Sequence, residues 1–188
     1  MNVAQWYAQV RADDECDIAP QIDTLHEHAR SGVHTAVELG VRDGNSTAVL
    51  LHGLAHTRDA HLWSVDRDPF GRSDIRPHPP WWTFIQGYDL AQAVLDQLPD
   101  AIELLFIDTD HSYAHTTAEL AMYWPRMAHG GHVLAHDTEN EDPAAHGEDI
   151  GAQPPFPVRA AVADFCEAKG LIACFDTRGY GMADIRVP

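Results

Sequence analysis

Residues 106–113 read FIDTDHSY, an apolar run that ends abruptly in Asp108, Asp110 and His111. A second run, GHVLAHD at 131–137, ends in the same manner in Asp137. If the two runs are adjacent strands of one sheet, the backbones carrying Asp108 and Asp137 lie about 4.8 Å apart. Carboxylates that close repel each other unless one holds a proton or a cation lies between them. A divalent, oxygen-seeking ion such as Mg²⁺ meets that demand while keeping some of its waters. His111, with an ordinary pKa of about 6.5, can accept a hydroxyl proton at neutral pH. The same ring serves equally well as a helix cap or a partner for a loop carbonyl. Asp110 has three roles open to it: orienting His111, touching the ion, or capping the next helix. His136 precedes Asp137 and is expected to point to the opposite side of its strand as a structural residue. The remaining histidines carry no metal-site spacing.

A second group of residues is suited to holding a ligand with a ribose and an amino-acid end. The stretch VELGVRDGNST at 37–47 follows an apolar run, and Gly40 and Gly44 allow the backbone to turn sharply and approach a ligand. A helix starting near Ser46 aims its free amides at the same place, where a carboxylate or a phosphate can be held. A purely structural strand-to-helix turn explains these glycines equally well. Asp66 closes the next run, where an acidic side chain accepts hydrogen bonds from both ribose hydroxyls. Gly87 and Tyr88 close the third, where an adenine has room against the backbone; Tyr88 is otherwise a packed aromatic. The Gly-x-x-x-Gly spacing differs from that of dinucleotide binders, and Glu38 would oppose a pyrophosphate. A sulfonium with a zwitterionic amino acid, as in S-adenosylmethionine, suits Glu38 better.

The elements that must position these residues are readable from the apolar pattern. Short runs at 35–40, 61–66, 82–87, 102–108, 131–137, 171–176 and 182–187 are apolar on both faces and mostly separated by helix-length segments. That pattern predicts a parallel sheet covered on both sides. The last two runs are separated only by a short turn and are expected to form an antiparallel hairpin. Helices are expected at 46–56, with Asn45 or Ser46 as cap, and at 91–98 after a capping Asp89. Further helices are expected at 116–124, ending at Pro125, and at 157–170, between Pro157 and Gly170. Two more belong in the first 31 residues, the second carrying Leu25 and His28. Two irregular segments, 68–81 and 138–156, are long enough to be binding loops or lids.

Composition bounds the partners. At 188 residues the chain is expected to be one domain, and its net charge of -17 repels nucleic acid and anionic membrane. No apolar run approaches the roughly 20 residues of a membrane span. The opening MNVAQWYAQVRADDECD turns acidic where a secretory leader is apolar, so the expected location is cytoplasmic. Cys16, Cys166 and Cys174 have irregular spacing and form no disulfide or zinc pattern; Cys166 and Cys174 are expected in the core.

In this order, VELGVRDGNST, SVDRDP, FIQG, LLFIDTDHSY and GGHVLAHD resemble the class I S-adenosylmethionine-dependent methyltransferases. More narrowly, they resemble the small-molecule O-methyltransferases related to the macrolide-sugar and catechol enzymes. The resemblance covers residues 33–188, and the pair IDxDHSY and GGxxxxHD is its most specific part. It implies an α/β fold: a Rossmann-like three-layer sandwich with a mostly parallel seven-stranded sheet and a C-terminal antiparallel hairpin. It implies a cofactor site at Glu38, Gly40, Asp43, Gly44, Ser46, Asp66, Arg67, Gly87, Tyr88 and Asp89. It further implies a metal on Asp108 and Asp137, with His111 as general base beside Asp108. The family usually places a second acidic or amide ligand after the second aspartate. Here that position is Thr138, which the resemblance makes the third metal residue although it is a poorer ligand, with Glu139, a water or Asp110 as alternatives to fill the site.

The resulting expectation is an S-adenosylmethionine-dependent O-methyltransferase, Mg²⁺-assisted, acting on a small hydroxylated acceptor such as a sugar, a natural product or a phenol. The segments 68–81 and 138–156, with Trp81, Trp82 and Phe156, are expected to cover the acceptor, and a homodimer is expected to complete its pocket. Two other readings stand beside it: a metal-independent methyltransferase, and a cofactor-binding module without turnover.

Overall fold

Strands that alternate two apolar faces need a helical layer on each side, and the computed structural model has that arrangement. It describes residues 1–72, 74–75, 78–141 and 153–188. The strands are β1 (Thr35–Leu39), β2 (His61–Asp66), β3 (Trp82–Gln86), β4 (Ile102–Ile107), β5 (Met127–His136), β6 (Ala173–Asp176) and β7 (Met182–Arg186). The helices are α1 (Val3–Arg11), α2 (Ile22–Arg30), α3 (Asn45–Leu54), α4 (Gln92–Leu95), α5 (Tyr113–Tyr123) and α6 (Pro157–Lys169). One seven-stranded sheet has the order β3-β2-β1-β4-β5-β7-β6, parallel except for β7, which runs antiparallel to both β5 and β6.

The alternation along β4 shows how the layers are assigned. Leu104 and Phe106 face α1, α2 and α3, together with Trp6, Leu25, Val49 and Leu62. Leu105 and Ile107 face the other layer, with Leu120, Tyr123, Val158 and Val162. Strand order reverses between β1 and β4, so the carboxyl ends of these strands diverge there and open a crevice. The expected Rossmann-like, mostly parallel seven-stranded sheet with its reversed final hairpin is therefore the observed fold. Among the described residues no helix is long and apolar enough to cross a membrane.

Several boundaries differ from the sequence reading for local reasons. Helix α4 is a single turn whose N-cap, Ala91, has no side-chain hydrogen bond, because Asp89 is engaged elsewhere. Helix α5 starts earlier than expected, capped by Ser112, whose hydroxyl accepts the His115 amide; Pro125 sits in the 3₁₀ turn that follows. Strand β5 begins ahead of the predicted run, and its register with β4 shifts between Ile102 and Leu104. Cys166 is buried as expected, but Cys174 is exposed because β6 is the edge strand. Helix α6 runs from Pro157 to a left-handed Gly170 cap, as predicted.

Candidate active site

The floor of the crevice is built by two glycines. Gly40 has φ +87°, and a Cβ there would lie 1.8 Å from the Asp108 carbonyl oxygen, so only glycine lets the end of β1 pass so close to β4. Gly44, at φ +78°, is the N-cap of α3 with no side-chain cap, and a Cβ there would strike the Trp6 ring. Ser46 does not cap the helix as expected. Its Oγ donates to Glu38 at 2.6 Å, and the hydroxyls of Thr47 and Ser64 donate at 2.8 and 2.5 Å. Glu38 is thus fully buried beneath the turn, where it ties β1, β2 and α3 together. Burial pushes its carboxyl up to about 7, with the three hydroxyls opposing that rise.

Above this floor lies a cavity of about 320 Å³. Gly40, Asp66, Arg67, Gly87, Tyr88 and Asp89 line it, together with Asp108 and His111 at its far end. A smaller hollow of about 30 Å³ adjoins it at the start of α3, lined by Gly40, Asp43, Ser46 and Asp108. Gly44 shapes the turn between the two, and Glu38 supports it from below. The Asp66 carboxylate accepts the Val41 and Arg42 amides at 2.7 and 2.9 Å through one oxygen and the Asp68 amide at 2.9 Å through the other. Those bonds hold the tip of β2 against the glycine turn and fix the carboxylate at the cavity wall. Tyr88 is half exposed at the rim, its hydroxyl 3.3 Å from His115 Nδ1.

The polar end of FIDTDHSY is a compact cluster. His111 Nε2 lies 3.1 Å from Asp108 Oδ1 and 3.1 Å from Asp137 Oδ2. His111 does not cap α5, since Ser112 does. Asp110 accepts both the amide and the hydroxyl of Ser112, at 2.9 and 2.8 Å, and its other oxygen is 3.4 Å from His115 Nδ1. It therefore supports the cap rather than His111.

His136 corrects the sequence reading. The pairing of Ile107 with Ala135 sets Asp108 level with His136, not Asp137, and residues paired across strands share a face. His136 Nδ1 accordingly lies 3.4 Å from Asp108 Oδ1 and 3.0 Å from Asp137 Oδ2. Asp137 joins the group because its backbone turns to φ +63° just past the strand. His111 is also left-handed, at φ +59°. Two non-glycine residues in that region, both in one polar cluster, mark strain held at a built site.

The electrostatics of this cluster are coupled. Burial opposes ionisation of Asp108, but His136 and His111 outweigh it and hold its carboxyl well below the usual carboxylate range. Burial likewise disfavours charge on His136, yet Asp108 and Asp137 overcome it and carry the ring to about 10. His111 is raised by the same carboxylates against the same burial. The cation demanded by two neighbouring carboxylates is thus supplied in part by imidazolium.

The donor set also fits a divalent ion. One ligand atom each from Asp108, His111 and Asp137 lie within 4.8 Å of one another, a separation compatible with a single octahedral ion. Thr138 lies outside this group: it is fully buried against Gly181, and among the described residues its hydroxyl has no hydrogen-bond partner. Glu139 pairs with Arg159. Asn140, unremarked in the sequence, donates from its side-chain Nδ2 to Asp137 Oδ1 at 3.3 Å and so braces that carboxylate.

A second buried group was also missed. His115 Nε2 lies 2.7 Å from Asp89 Oδ2 and 3.7 Å from Glu119 Oε1, and Thr109 donates to Glu119 at 2.9 Å. The four-residue spacing of His111, His115 and Glu119, with one helical face from His115 onward, was the available signal. This group anchors the third-strand tip to α5 beneath the cavity. The first long loop is partly a core segment: Phe70 and Trp82 rings lie 5.1 Å apart, Trp82 donates to Ser64 at 3.0 Å, and Ile75 is buried. Trp81 packs against the same core, and Phe156 is the left-handed N-cap of α6. Residues 142–152 of the predicted acceptor-side segment, and 73 and 76–77 of the first loop, lie outside the described residues.

Residues 37–138 match a family model described as a methyltransferase domain. No curated protein matches the chain. Among solved structures, an O-methyltransferase from Bacillus cereus in complex with SAH superposes with a TM-score of 0.69 at 16% identity, covering 99% of this chain and 89% of its own. A putative caffeoyl-CoA O-methyltransferase from Staphylococcus aureus gives 0.66 at 16% identity, covering 90% and 83%. The MycE methyltransferase of the mycinamycin biosynthetic pathway, in complex with Mg and SAH, gives 0.68 at 13% identity, covering 98% of this chain and 54% of its own.

Proposed function

This chain belongs to the methyltransferase-domain family matched by residues 37–138, and on that premise we propose that it is an S-adenosylmethionine-dependent O-methyltransferase acting on a hydroxyl of a small sugar, natural product or phenol. One observation carries the reading: a single cavity runs from the glycine turn and Asp66 to Asp108 and His111, so a cofactor held at one end presents its methyl group to acid–base residues at the other.

In this scheme Asp66 accepts the ribose hydroxyls, the Gly87 and Tyr88 backbone borders the adenine, and the amides at the start of α3 take the carboxylate of the methionine part. The acceptor hydroxyl gives its proton to the His111 imidazole. Its oxygen then forms a bond to the methyl carbon as the carbon–sulfur bond breaks, and sulfur keeps the electron pair. The products are a methyl ether and S-adenosylhomocysteine, and His111 returns its proton to solvent.

His111 can act as base only when the two carboxylates no longer hold a proton on it. Asp108 and Asp137 would hold a divalent ion, leaving the His111 ring for the proton, and such an ion would supply positive charge that lowers the pKa of an acceptor hydroxyl. The metal-free reading is favoured by His136, whose imidazolium already offsets the carboxylate pair. Methyl transfer from labelled S-adenosylmethionine to a panel of catechols and sugars, with and without EDTA, separates them. Transfer abolished by EDTA and restored by Mg²⁺ supports the metal-assisted form, and EDTA-insensitive transfer the other. Tight S-adenosylhomocysteine binding with no transfer to any acceptor would contradict the enzymatic reading.

A further inference from the structure

Three imidazoles gather on the opposite, helical side of the molecule. His26 on α2 places Nε2 2.8 Å from Nδ1 of His52 on α3, and His56, one turn after His52, completes a group whose ligand atoms lie within 4.8 Å of one another. The approach is built into the helix contact. A Cβ at Gly53 would lie 2.6 Å from the Ala29 Cβ and 2.9 Å from the His26 carbonyl, so glycine allows α2 and α3 to close until the rings meet. Tyr7 of α1 forms the back wall, stacked on His52 at 4.1 Å and on His26 at 5.0 Å between ring centroids.

The absence of an anionic partner sets this group apart. The other surface histidine group, His28 and His132, shares the Asp184 carboxylate at 3.2 and 2.7 Å and is compensated by it. Among the described residues, no carboxylate pairs with His26, His52 or His56. Burial and the neighbouring rings and arginines lower the pKa of His26, and burial does the same for His52. That direction favours the neutral form of the rings, the form that ligates metals.

We propose that His26, His52 and His56 form a binding site for a divalent transition metal of the zinc class, separate from the Asp108 cluster. Three nitrogen ligands with the exposed edge of His56 leave a fourth position for water, the donor set that Zn²⁺ accepts and Mg²⁺ does not. With zinc–nitrogen bonds of about 2.0–2.1 Å, tetrahedral ligation separates ligand nitrogens by about 3.3 Å. His26 and His52 therefore exchange their mutual hydrogen bond for the metal by opening about 0.5 Å, a small movement for partly exposed rings. The bound ion ties α2 to the end of α3, the helix whose start forms the cofactor turn.

Zn²⁺ titration of metal-stripped, untagged protein by calorimetry tests this, because His56 is exposed and its replacement leaves the fold intact. His56→Ala and His26→Ala should each bind one equivalent fewer than the parent, or bind it at least tenfold more weakly, and should lose part of the Zn²⁺-induced rise in Tm. Asp108→Ala should retain that equivalent. With Co²⁺, the parent should show the intense visible absorption of a tetrahedral nitrogen site, and His56→Ala should lose it. The same stoichiometry and affinity in parent, His56→Ala and His26→Ala, or no zinc bound by the parent, would overturn the proposal.

Discussion

Glu38 shows how a single residue can be chosen for one role and built for another. Its type and position suggested a direct electrostatic partner for a sulfonium cofactor, but its carboxyl is sealed under three hydroxyls. A carboxyl whose ordinary pKa of 4.5 is pushed up to about 7 by burial stays protonated in the folded chain while the unfolded chain ionises. Its contribution to stability is therefore fully present at low pH and is lost as pH rises from 4.5 through about 7. Glu38→Gln should flatten the decline of Tm across that interval, removing a slope of up to about 1.4 kcal/mol per pH unit. An unchanged slope in calorimetric melts would show that Glu38 does not titrate there. His136 makes the complementary point. Its type was legible, but its partners depended on a one-residue register between β4 and β5 that no local pattern reveals.

Elements were more legible than contacts. All seven strands and the reversed hairpin followed from apolar runs and spacer lengths, because a strand buried on both faces has few other ways to be written. Helix ends were misplaced where a polar side chain had a stronger use than capping: Ser46 serves Glu38, and Asp89 serves His115. Within 68–81, Phe70 packs on Trp6 and Ile75 is buried, placements that the surrounding prolines and charges hide in the sequence. The β1–α3 turn is the element on which the site depends most. Gly40→Ala adds a methyl group into the Asp108 carbonyl at a left-handed backbone position. Chemical denaturation should show a loss of at least about 3 kcal/mol or failure to fold, since strain and a buried clash add. A variant as stable as the parent would mean that β1 and β4 diverge more widely than described.

At the scale of the whole molecule, the net charge of -17 acts on partners rather than on the fold. Counterion release cannot favour association with a polyanion when the protein itself is strongly acidic. The protein should show no retention on heparin and no shift of duplex DNA or RNA at low salt. Salt-sensitive retention would place a basic surface where none is expected. The same field favours cationic ligands, in keeping with the proposed sulfonium cofactor.

The central claim is a division of labour along one cavity: Asp66 holds the cofactor, and Asp108, His111 and Asp137 serve the chemistry. Calorimetry with S-adenosylhomocysteine on the parent, Asp66→Ala and Asp137→Ala, paired with turnover of the same three proteins, tests it most directly. The account predicts that Asp66→Ala weakens binding at least tenfold, the scale of a lost pair of charge-assisted hydrogen bonds. It predicts that Asp137→Ala binds within about threefold of the parent, well under 1 kcal/mol, and has no turnover. Parent-like binding by Asp66→Ala together with lost binding by Asp137→Ala would contradict it.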